Sequence, residues 1–328
     1  MRINVPLPTE GTFTDPVSFQ QVLETITAKR PVIGTVARRA FRENHRTSWE
    51  ATQQLLYHWN MEEFLRTSPA TNPGRMVRQT LRNTILAEQE AAHRDDATLQ
   101  LQCRNAFTPE KAIAELRQRA TEHRINHHPL LAEMETNGLP ARAVRLFLEN
   151  YYINNRVFHL HIASQSMSVP FEVRPELARN FYDELGQGQY EKAHPVLFLA
   201  NFNSVGRPDE IHPLVEALNL MNVKIHASML SGDHFVGLGC FGFIEVTMPA
   251  QMRAILSGLR QSGLPEPDLE FWRLHIQIDE VHGDAWFQEV GSQLTGVAQA
   301  ESVLRGGLLG LEARAGVYDG IWNAMQAL

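Results

Sequence analysis

The sequence predicts an all-α protein, and three observations support that class. Apolar residues recur with the period of an α-helix along most of the 328 residues. Strict alternation of apolar and polar residues over the length of a strand is nearly absent. Proline and glycine interrupt the periodic stretches at intervals, as they do where helices end. We therefore expect helices joined by turns.

The composition limits the kind of partner that the chain can bind. Hydrophobic residues make up 43% of the sequence, which is enough for a substantial core. The net charge of -7 is spread without long runs of one sign, which argues against nucleic acid or an anionic membrane. Cys103 and Cys240 form no CxxC pair, as is typical of a reducing compartment. We expect a small-molecule substrate.

Two apolar segments bear on localisation. The N-terminal MRINVPLPTEG lacks the apolar core of a signal peptide. The longest uncharged apolar run, FVGLGCFGFI, is roughly half of the ~20 residues that cross a bilayer. These features predict a cytoplasmic protein without a membrane span.

The first 110 residues are predicted to form a helical extension. It contains the periodic stretch SWEATQQLLYHWNMEEFLRT and the helix-breaking loop SPATNPGR. A new helix begins after Thr108, a suitable N-cap, with Pro109 and Glu110 in the first turn. We place the boundary here, with domains at residues 1–110 and 111–328.

Helices are predicted along the second domain, each bounded by proline, glycine or polar turns. They are LPARAVRLFLENYYINNRVFHLHIASQ, RPELARNFYDELG, PVLFLANFNSVG, HPLVEALNLMNV, FVGLGCFGFIEVTM, PAQMRAILSGL, PDLEFWRLHIQIDEVHGDAWFQEV and a long C-terminal segment.

One predicted helix carries three potential metal ligands on one face. Relative to His275, Asp279 lies at about +40° and His282 at about -20° around the helix axis. Phe271, Trp272, Ile278 and Trp286 share that side, so the stripe faces the core. A buried carboxylate between two imidazoles requires compensation, which a metal ion provides directly. A hydrogen-bonded His-Asp-His network remains the alternative.

Three further residues extend this pattern. Glu245 is the only charge in an otherwise apolar helix, so its carboxylate faces inward or lies at a helix end. Glu184 ends a predicted helix, and His194 follows a turn rich in glycine. Taken singly, these residues are also compatible with a lone buried acid, a terminal acid and a solvated loop histidine.

The ordered set resembles the ligand pattern of the heme-oxygenase-like diiron oxidases and oxygenases. The set is Glu184 with His194, then Glu245, then H-x3-D-x2-H at His275, Asp279 and His282. The segment INHHPLLAEMETNGLPARAVRLFLENYYINN also looks like the first core helix of that superfamily, which includes thiaminase-II-type enzymes and pyrroloquinoline quinone synthase. The resemblance covers roughly residues 110 to 300.

The resemblance implies a heme-oxygenase-like helical bundle with two iron ions held by these six residues. Dioxygen would be the cosubstrate, and a reductase or a small reductant the external electron donor. We expect His194 and His282 mainly at one metal and His275 at the other, with Glu184, Glu245 or Asp279 available to bridge. Larger members have an N-terminal extension associated with dimerisation, so a homodimer is expected.

The expected reaction is oxidation of a small, amino-acid-derived or nitrogen-containing metabolite, with N-oxygenation first. Oxidative C-C bond cleavage or decarboxylation at the same site is the alternative. A cofactor-independent enzyme of the same fold, or a non-catalytic metal- or ligand-binding protein, would also explain parts of the pattern.

A second polar stripe is a candidate substrate site. On one continuous helix, Glu149, Tyr152, Arg156 and His159 would fall within about 80° of one another. Arg156 could pair with a substrate carboxylate. An internal salt-bridged network explains the same stripe equally well.

Overall fold

The structure, a computed structural model, describes residues 19–65, 73–93 and 96–327. Within these ranges the chain forms thirteen α-helices, short 3-10 turns, one π-helical turn and no strand. The predicted all-α class is therefore confirmed.

The chain divides into two compact units. Of the described residues, those up to Thr98 belong to the smaller unit and those from Leu99 onward belong to the larger unit. The division falls before the predicted boundary near residue 110, because the segment after Leu99 packs with the larger unit. There the Glu115 carboxylate accepts hydrogen bonds from the backbone N–H groups of Gln102 and Cys103, at 2.8 and 3.0 Å.

The smaller unit has a core of its own. Its helices are α1 (Phe19–Phe41), α2 (Arg46–Phe64) and α3 (Pro73–His93). The buried side chains between them are Ala37, Leu56, Trp59, Val77, Leu81 and Ile85. The loop SPATNPGR lies largely outside the described residues, so its predicted conformation is not tested.

The larger unit contains the remaining helices. They are α4 (Pro109–Thr121), α5 (Pro129–Asn137), α6 (Ala141–Asn155), α7 (Phe158–Ser168), α8 (Arg174–Glu184), α9 (His194–Ala200), α10 (Val215–Ile225), α11 (His234–Gln261), α12 (Glu270–Gln293) and α13 (Val297–Gln326). The predicted start of α4 is confirmed, since the Thr108 hydroxyl accepts a hydrogen bond from Lys111 N–H at 3.2 Å.

Helix α11 is the central element of the larger unit and packs against α5, α12 and α13. Its approach to α13 requires glycine, because a Cβ on Gly239 would lie 2.0 Å from the carbonyl oxygen of Val303. We predicted two helices here, divided before Pro249, and that division is wrong. Packing on several sides keeps one helix continuous, although Pro249 supplies no N–H to the carbonyl of Glu245 one turn earlier.

We also predicted one long helix over residues 139–165, and this is wrong, because the structure has two helices there. Helix α6 ends at Asn155 and α7 begins at Phe158. Val157, with φ -131° and ψ 9°, leaves the helical region between them. The angular relation expected across Arg156 and His159 therefore does not apply.

By length and apolar composition alone, α11 could cross a membrane. It is, however, the core helix of the larger unit, and 83% of its most apolar window is buried inside the protein. Burial of this kind is what a central helix of a bundle requires.

Candidate metal centre

The six predicted ligands come together in two buried groups of three. Each residue of a group offers one nitrogen or oxygen atom, and the three atoms lie within 4.8 Å of one another. The first triad is Glu184, His194 and His275, and the second triad is Glu245, Asp279 and His282. The structure thus has two places, each with three donor atoms, where a metal ion fits.

A tight turn brings Glu184 and His194 together. Glu184 is the last residue of α8, and His194 is the first residue of α9. Gly186 lies between them at φ +64°, and an added Cβ would be only 2.4 Å from the backbone nitrogen of Ala193. Only glycine allows this close return of the chain.

In the first triad, the donor atoms face a common point. The Glu184 Oε1 atom lies 3.0 Å from His194 Nδ1 and 3.9 Å from His275 Nε2. The His275 Nδ1–H donates to the carbonyl oxygen of Phe271 at 2.8 Å. This bond fixes the tautomer in which Nε2 keeps its lone pair, as is typical of metal-binding histidines.

In the second triad, polar neighbours hold two of the three side chains. Asn180 Nδ2 donates to Glu245 Oε1 at 3.2 Å. The His282 ring has its Nε2 atom 3.3 Å from Asp183 Oδ2 and its Nδ1 atom 3.9 Å from Glu245 Oε2. A carboxylate behind a histidine in this way orients the ring and raises its basicity toward a metal.

The donor set fits a metal better than it fits a hydrogen-bonded network. His194 is 2% exposed, and neither of its ring nitrogens makes a hydrogen bond within the described residues. Its Nδ1 atom is close to Glu184 but is not aligned for a hydrogen bond. A buried imidazole whose ring nitrogens make no aligned hydrogen bond is costly, and a metal ion would satisfy it together with Glu184.

Burial and neighbouring charges shift the pKa value of one carboxyl group in each triad. Burial, followed by repulsion from Glu245, raises the pKa of the Asp279 carboxyl well above its usual range. Although burial opposes it, attraction to His194 lowers the pKa of the Glu184 carboxyl below its usual range. Metal binding would offset the negative charge and release protons from such groups.

The grouping corrects one expectation. We expected His194 and His282 at one metal and His275 at the other, but His194 and His275 share the first triad, with ring centroids 4.4 Å apart. The reason is that His194, at the start of α9, lies beside His275 in the first half of α12. His282 lies almost two turns further along α12.

The predicted substrate residues do not form one stripe. Glu149 pairs with Arg145 at 2.8 Å, one turn earlier on α6. Tyr152 is 3% exposed and its ring lies against Phe198 and Phe202. Arg156 and His159 flank the break between α6 and α7. Their role in binding substrate stays a prediction.

Sequence reasoning missed four residues around the centre. Asn180 could have been found, because it lies one helical turn before Glu184 on α8 and thus on the same face. Asp183 is adjacent to Glu184, but its pairing with His282 has no sequence signal. Two buried cations were also missed: Lys224 and Arg314 are 0% and 3% exposed.

These cations partly balance the acidic interior. Burial, followed by repulsion from Arg314, lowers the pKa of the Lys224 ammonium to about 7. Its Nζ donates to Asn154 Oδ1 at 2.7 Å. Arg314 donates to the hydroxyl of Tyr151 and, at 3.1 Å, to Gln251 Oε1. Its positive charge opposes, without reversing, the rise in the pKa of Asp279.

Comparison with known proteins agrees with the fold and shows the family of the chain. The family model for iron-containing redox enzymes matches residues 145–315. This range covers more than half of the chain and contains all six predicted ligands. The chain therefore belongs to the family of iron-containing redox enzymes.

Individual relatives are more distant. The chain is 27% identical over 213 residues to 4-chloro-allylglycine synthase of Streptantibioticus cattleyicolor, covering 62% of this chain and 79% of that protein. The fold of this chain is similar to that of a CADD-like protein of unknown function from Nostoc punctiforme, with a TM-score of 0.55 and 14% identity. The match covers 66% of this chain and 97% of that chain. A domain with a heme oxygenase-like fold from Shewanella denitrificans gives a TM-score of 0.52, 17% identity and coverage of 66% and 91%.

Proposed function

We propose that the chain is a nonheme diiron enzyme that uses dioxygen to oxidise a small, amino-acid-derived metabolite. One iron would be held by the first triad and one by the second. The observation that carries the proposal is the pair of buried triads, each with at least one carboxylate and one imidazole on facing helices. Carboxylate and imidazole ligation in a helical bundle is the donor set of diiron proteins.

When bound, a pair of ferrous ions supplies electrons to dioxygen. The residues of this chain have separate tasks around that chemistry. Glu184 and His194 close the first triad through the Gly186 turn, and His275 is fixed by the Phe271 carbonyl. Phe198, Phe271 and Trp272, all at most 1% exposed, exclude water from the side of the first triad.

N-oxygenation is the reaction that we expect from the sequence. Insertion of one oxygen atom into an amine, with reduction of the other to water, requires two electrons from outside the substrate. An external reductase or small reductant is therefore part of this proposal.

Oxidative C-C bond cleavage is the second candidate, and one observation favours it. The relative from S. cattleyicolor is named for a product that is an unsaturated amino acid. The name points to a change in the carbon chain, a C=C bond, and not to an oxygenated nitrogen. The similarity of the two chains supports a substrate that is derived from an amino acid in either case.

Metal stoichiometry tests the diiron proposal. Anaerobic titration of the full-length protein with Fe(II) is expected to saturate at two ions per chain. Addition of dioxygen should then give a transient absorbance that the metal-free protein does not give. Saturation at one ion would contradict the diiron proposal. Activity that survives chelation would favour the cofactor-independent enzyme of the same fold.

Product analysis separates the two reactions. Candidate amino-acid-derived amines are added with dioxygen, and the one that accelerates decay of the transient absorbance is analysed by mass spectrometry with ¹⁸O₂. N-oxygenation would add one labelled oxygen to the intact carbon skeleton. C-C cleavage would give a product that has lost a carbon fragment.

A further inference from the structure

A small cavity lies beside the second triad, between α7, α8, α11 and α12. Asn180 and His282 line it, and both lie next to Glu245. The cavity has a volume of about 20 Å³. A buried water molecule needs at least about 10–15 Å³. The cavity therefore accepts one molecule of that size and excludes an organic substrate.

An unpaired hydrogen-bond acceptor lines the cavity. Gln165 on α7 is 0% exposed, and its Nε2 donates to the carbonyl oxygen of His234 at 3.0 Å. This bond fixes the orientation of the amide, because the reverse orientation would place two acceptors together. The Oε1 atom is buried and makes no hydrogen bond within the described part of the chain.

An unpaired donor lines the same cavity. Trp286 on α12 is 7% exposed, and its buried Nε1 donates to no atom of the described residues. Trp272, on the same helix, has the usual arrangement, since its Nε1 donates to Asn201 Oδ1 at 2.6 Å. A buried N–H without an acceptor is costly, so Trp286 requires a partner that the protein itself does not provide.

Close packing against α11 holds both side chains in place. A Cβ on Gly237 would lie 1.8 Å from Gln165 Oε1, and a Cβ on Gly242 would lie 1.7 Å from Trp286 Cε2. The amide and the indole therefore lie directly against the backbone of α11. Neither can turn toward another partner without losing that contact.

The surroundings of the cavity favour a neutral molecule. Glu176 lines the cavity and repels an anion, and a metal ion bound in the second triad would repel a cation. A water molecule carries no net charge, and it can accept from the indole and donate to the amide at the same time. Dioxygen is also small and neutral, but it would leave both polar atoms unsatisfied.

We propose that this cavity is a binding site for one water molecule, which accepts a hydrogen bond from Trp286 Nε1 and donates one to Gln165 Oε1. The water links α12 to α7. Trp286 follows His282 by about one helical turn, so the link holds the part of α12 that carries the last ligand of the second triad. The site does not need a bound metal, and it therefore goes beyond the proposed function.

NMR signals of the tryptophan indoles test the site directly. The full-length, metal-free protein is labelled with ¹⁵N at the indole, and rotating-frame Overhauser spectra record transfer from water to each Nε1–H. We expect a direct water cross-peak at Trp286, whose signal is identified by its loss in Trp286→Phe. The matched control is Trp272, which is bonded to Asn201 and should show no such cross-peak.

The composition of the wall makes this cross-peak specific for water. No serine, threonine or tyrosine is among the described residues that line the cavity. An exchanging hydroxyl proton of the wall would therefore not produce the signal.

Two variants of α7 test the second partner. Gln165→Leu removes the acceptor, and the water cross-peak at Trp286 should be lost, because a buried water needs at least two polar partners. Ser166→Ala changes the next residue of the same helix, which does not line the cavity. This variant should keep the cross-peak.

The wild-type spectrum alone can overturn the proposal, whether or not the variants fold. Absence of a water cross-peak at Trp286, with a shift of its signal under xenon pressure, would show a dry cavity for small apolar molecules. Retention of the cross-peak in Gln165→Leu would overturn the role of Gln165. A cross-peak that is present in the wild type and in Ser166→Ala and lost in Gln165→Leu supports the water site. Because the samples contain no metal, these results are independent of the diiron proposal.

Discussion

Asp183 shows how a residue outside the predicted ligand set acts on the centre. Its carboxylate lies 3.3 Å from His282 Nε2, while His282 Nδ1 faces Glu245. The His282 ring thus lies between the carboxylate of Glu245, a predicted ligand, and that of Asp183, which is not one. A hydrogen bond of this kind fixes ring orientation and tautomer, so it affects metal affinity without providing a ligand.

Asp183→Asn is therefore expected to weaken metal binding. An amide keeps the shape but loses the charge that stabilises the His282 N–H, so the affinity of one of the two positions should fall about 10–100-fold. Mn(II) titration by calorimetry measures the change. Asp284→Asn, at an exposed position on α12, the helix that carries His282, is the control. Equal losses in the two variants would show that Asp183 has no specific role.

Asp279→Asn is expected to have opposite effects on stability and on metal binding. Asp279 is 5% exposed and lies beside Glu245, so its charge is costly when no metal is present. The neutral amide removes that cost, and the melting temperature of the metal-free protein should rise by about 2–4 °C. Fe(II) stoichiometry should fall from two to one.

Differential scanning calorimetry and anaerobic titration of the Asp279→Asn variant measure these two changes. A lower melting temperature with two metals still bound would contradict both expectations. It would show that Asp279 acts in a hydrogen-bonded network and not as a metal ligand.

At the scale of helices, the periodicity of the sequence predicts which face of a helix is buried. His275, Asp279 and His282 face the core because a helical period places them on one side with Trp272 and Trp286, and all five are buried. The division of the ligands between two triads could not be predicted in this way. It depends on where the turn after Glu184 places α9 against α12, and no local pattern records that position.

Other errors have the same origin. Proline at position 249 ends a helix by local propensity, yet packing of α11 against three helices outweighs the lost hydrogen bond. At Val157 the error is the opposite one: the local sequence favours a continuous helix, yet the helix breaks. Tertiary context determined both results.

The Gly186 turn gives a prediction at this scale. A methyl group at Gly186 would lie 2.4 Å from the backbone of Lys192 and Ala193, so Gly186→Ala must separate Glu184 from His194. We expect loss of one bound metal per chain with most helical circular dichroism retained.

Gly188→Ala is the matched control for the turn. Gly188 also has a positive φ, +85°, but an added Cβ would meet nothing within 4 Å. This variant should lose only about 1–2 kcal/mol of stability from backbone strain and should keep two metals. Equal metal loss in both variants would show that strain, not the close return of the chain, controls the site.

At the scale of the whole molecule, the centre joins helices that are far apart in sequence. Its ligands lie on α8, α9, α11 and α12, which span residues 174 to 293. Without metal, their buried carboxylates and imidazoles oppose close packing, because the negative groups lack full compensation. Metal binding should therefore stabilise these helices together, whereas α1 to α3, which form the separate smaller unit, carry no predicted ligand.

Hydrogen exchange measured by mass spectrometry tests this coupling. Mn(II), which does not react with dioxygen as Fe(II) does, should slow amide exchange in α8, α9, α12 and the middle of α11, and leave α1 to α3 unchanged. In Asp279→Asn, protection should survive in the turn from Glu184 to His194 and disappear around Glu245 and His282. Loss of protection at both places would mean that the two metals bind only as a pair. Uniform protection of the whole chain would show that the metal acts on global stability rather than through the four ligand-bearing helices.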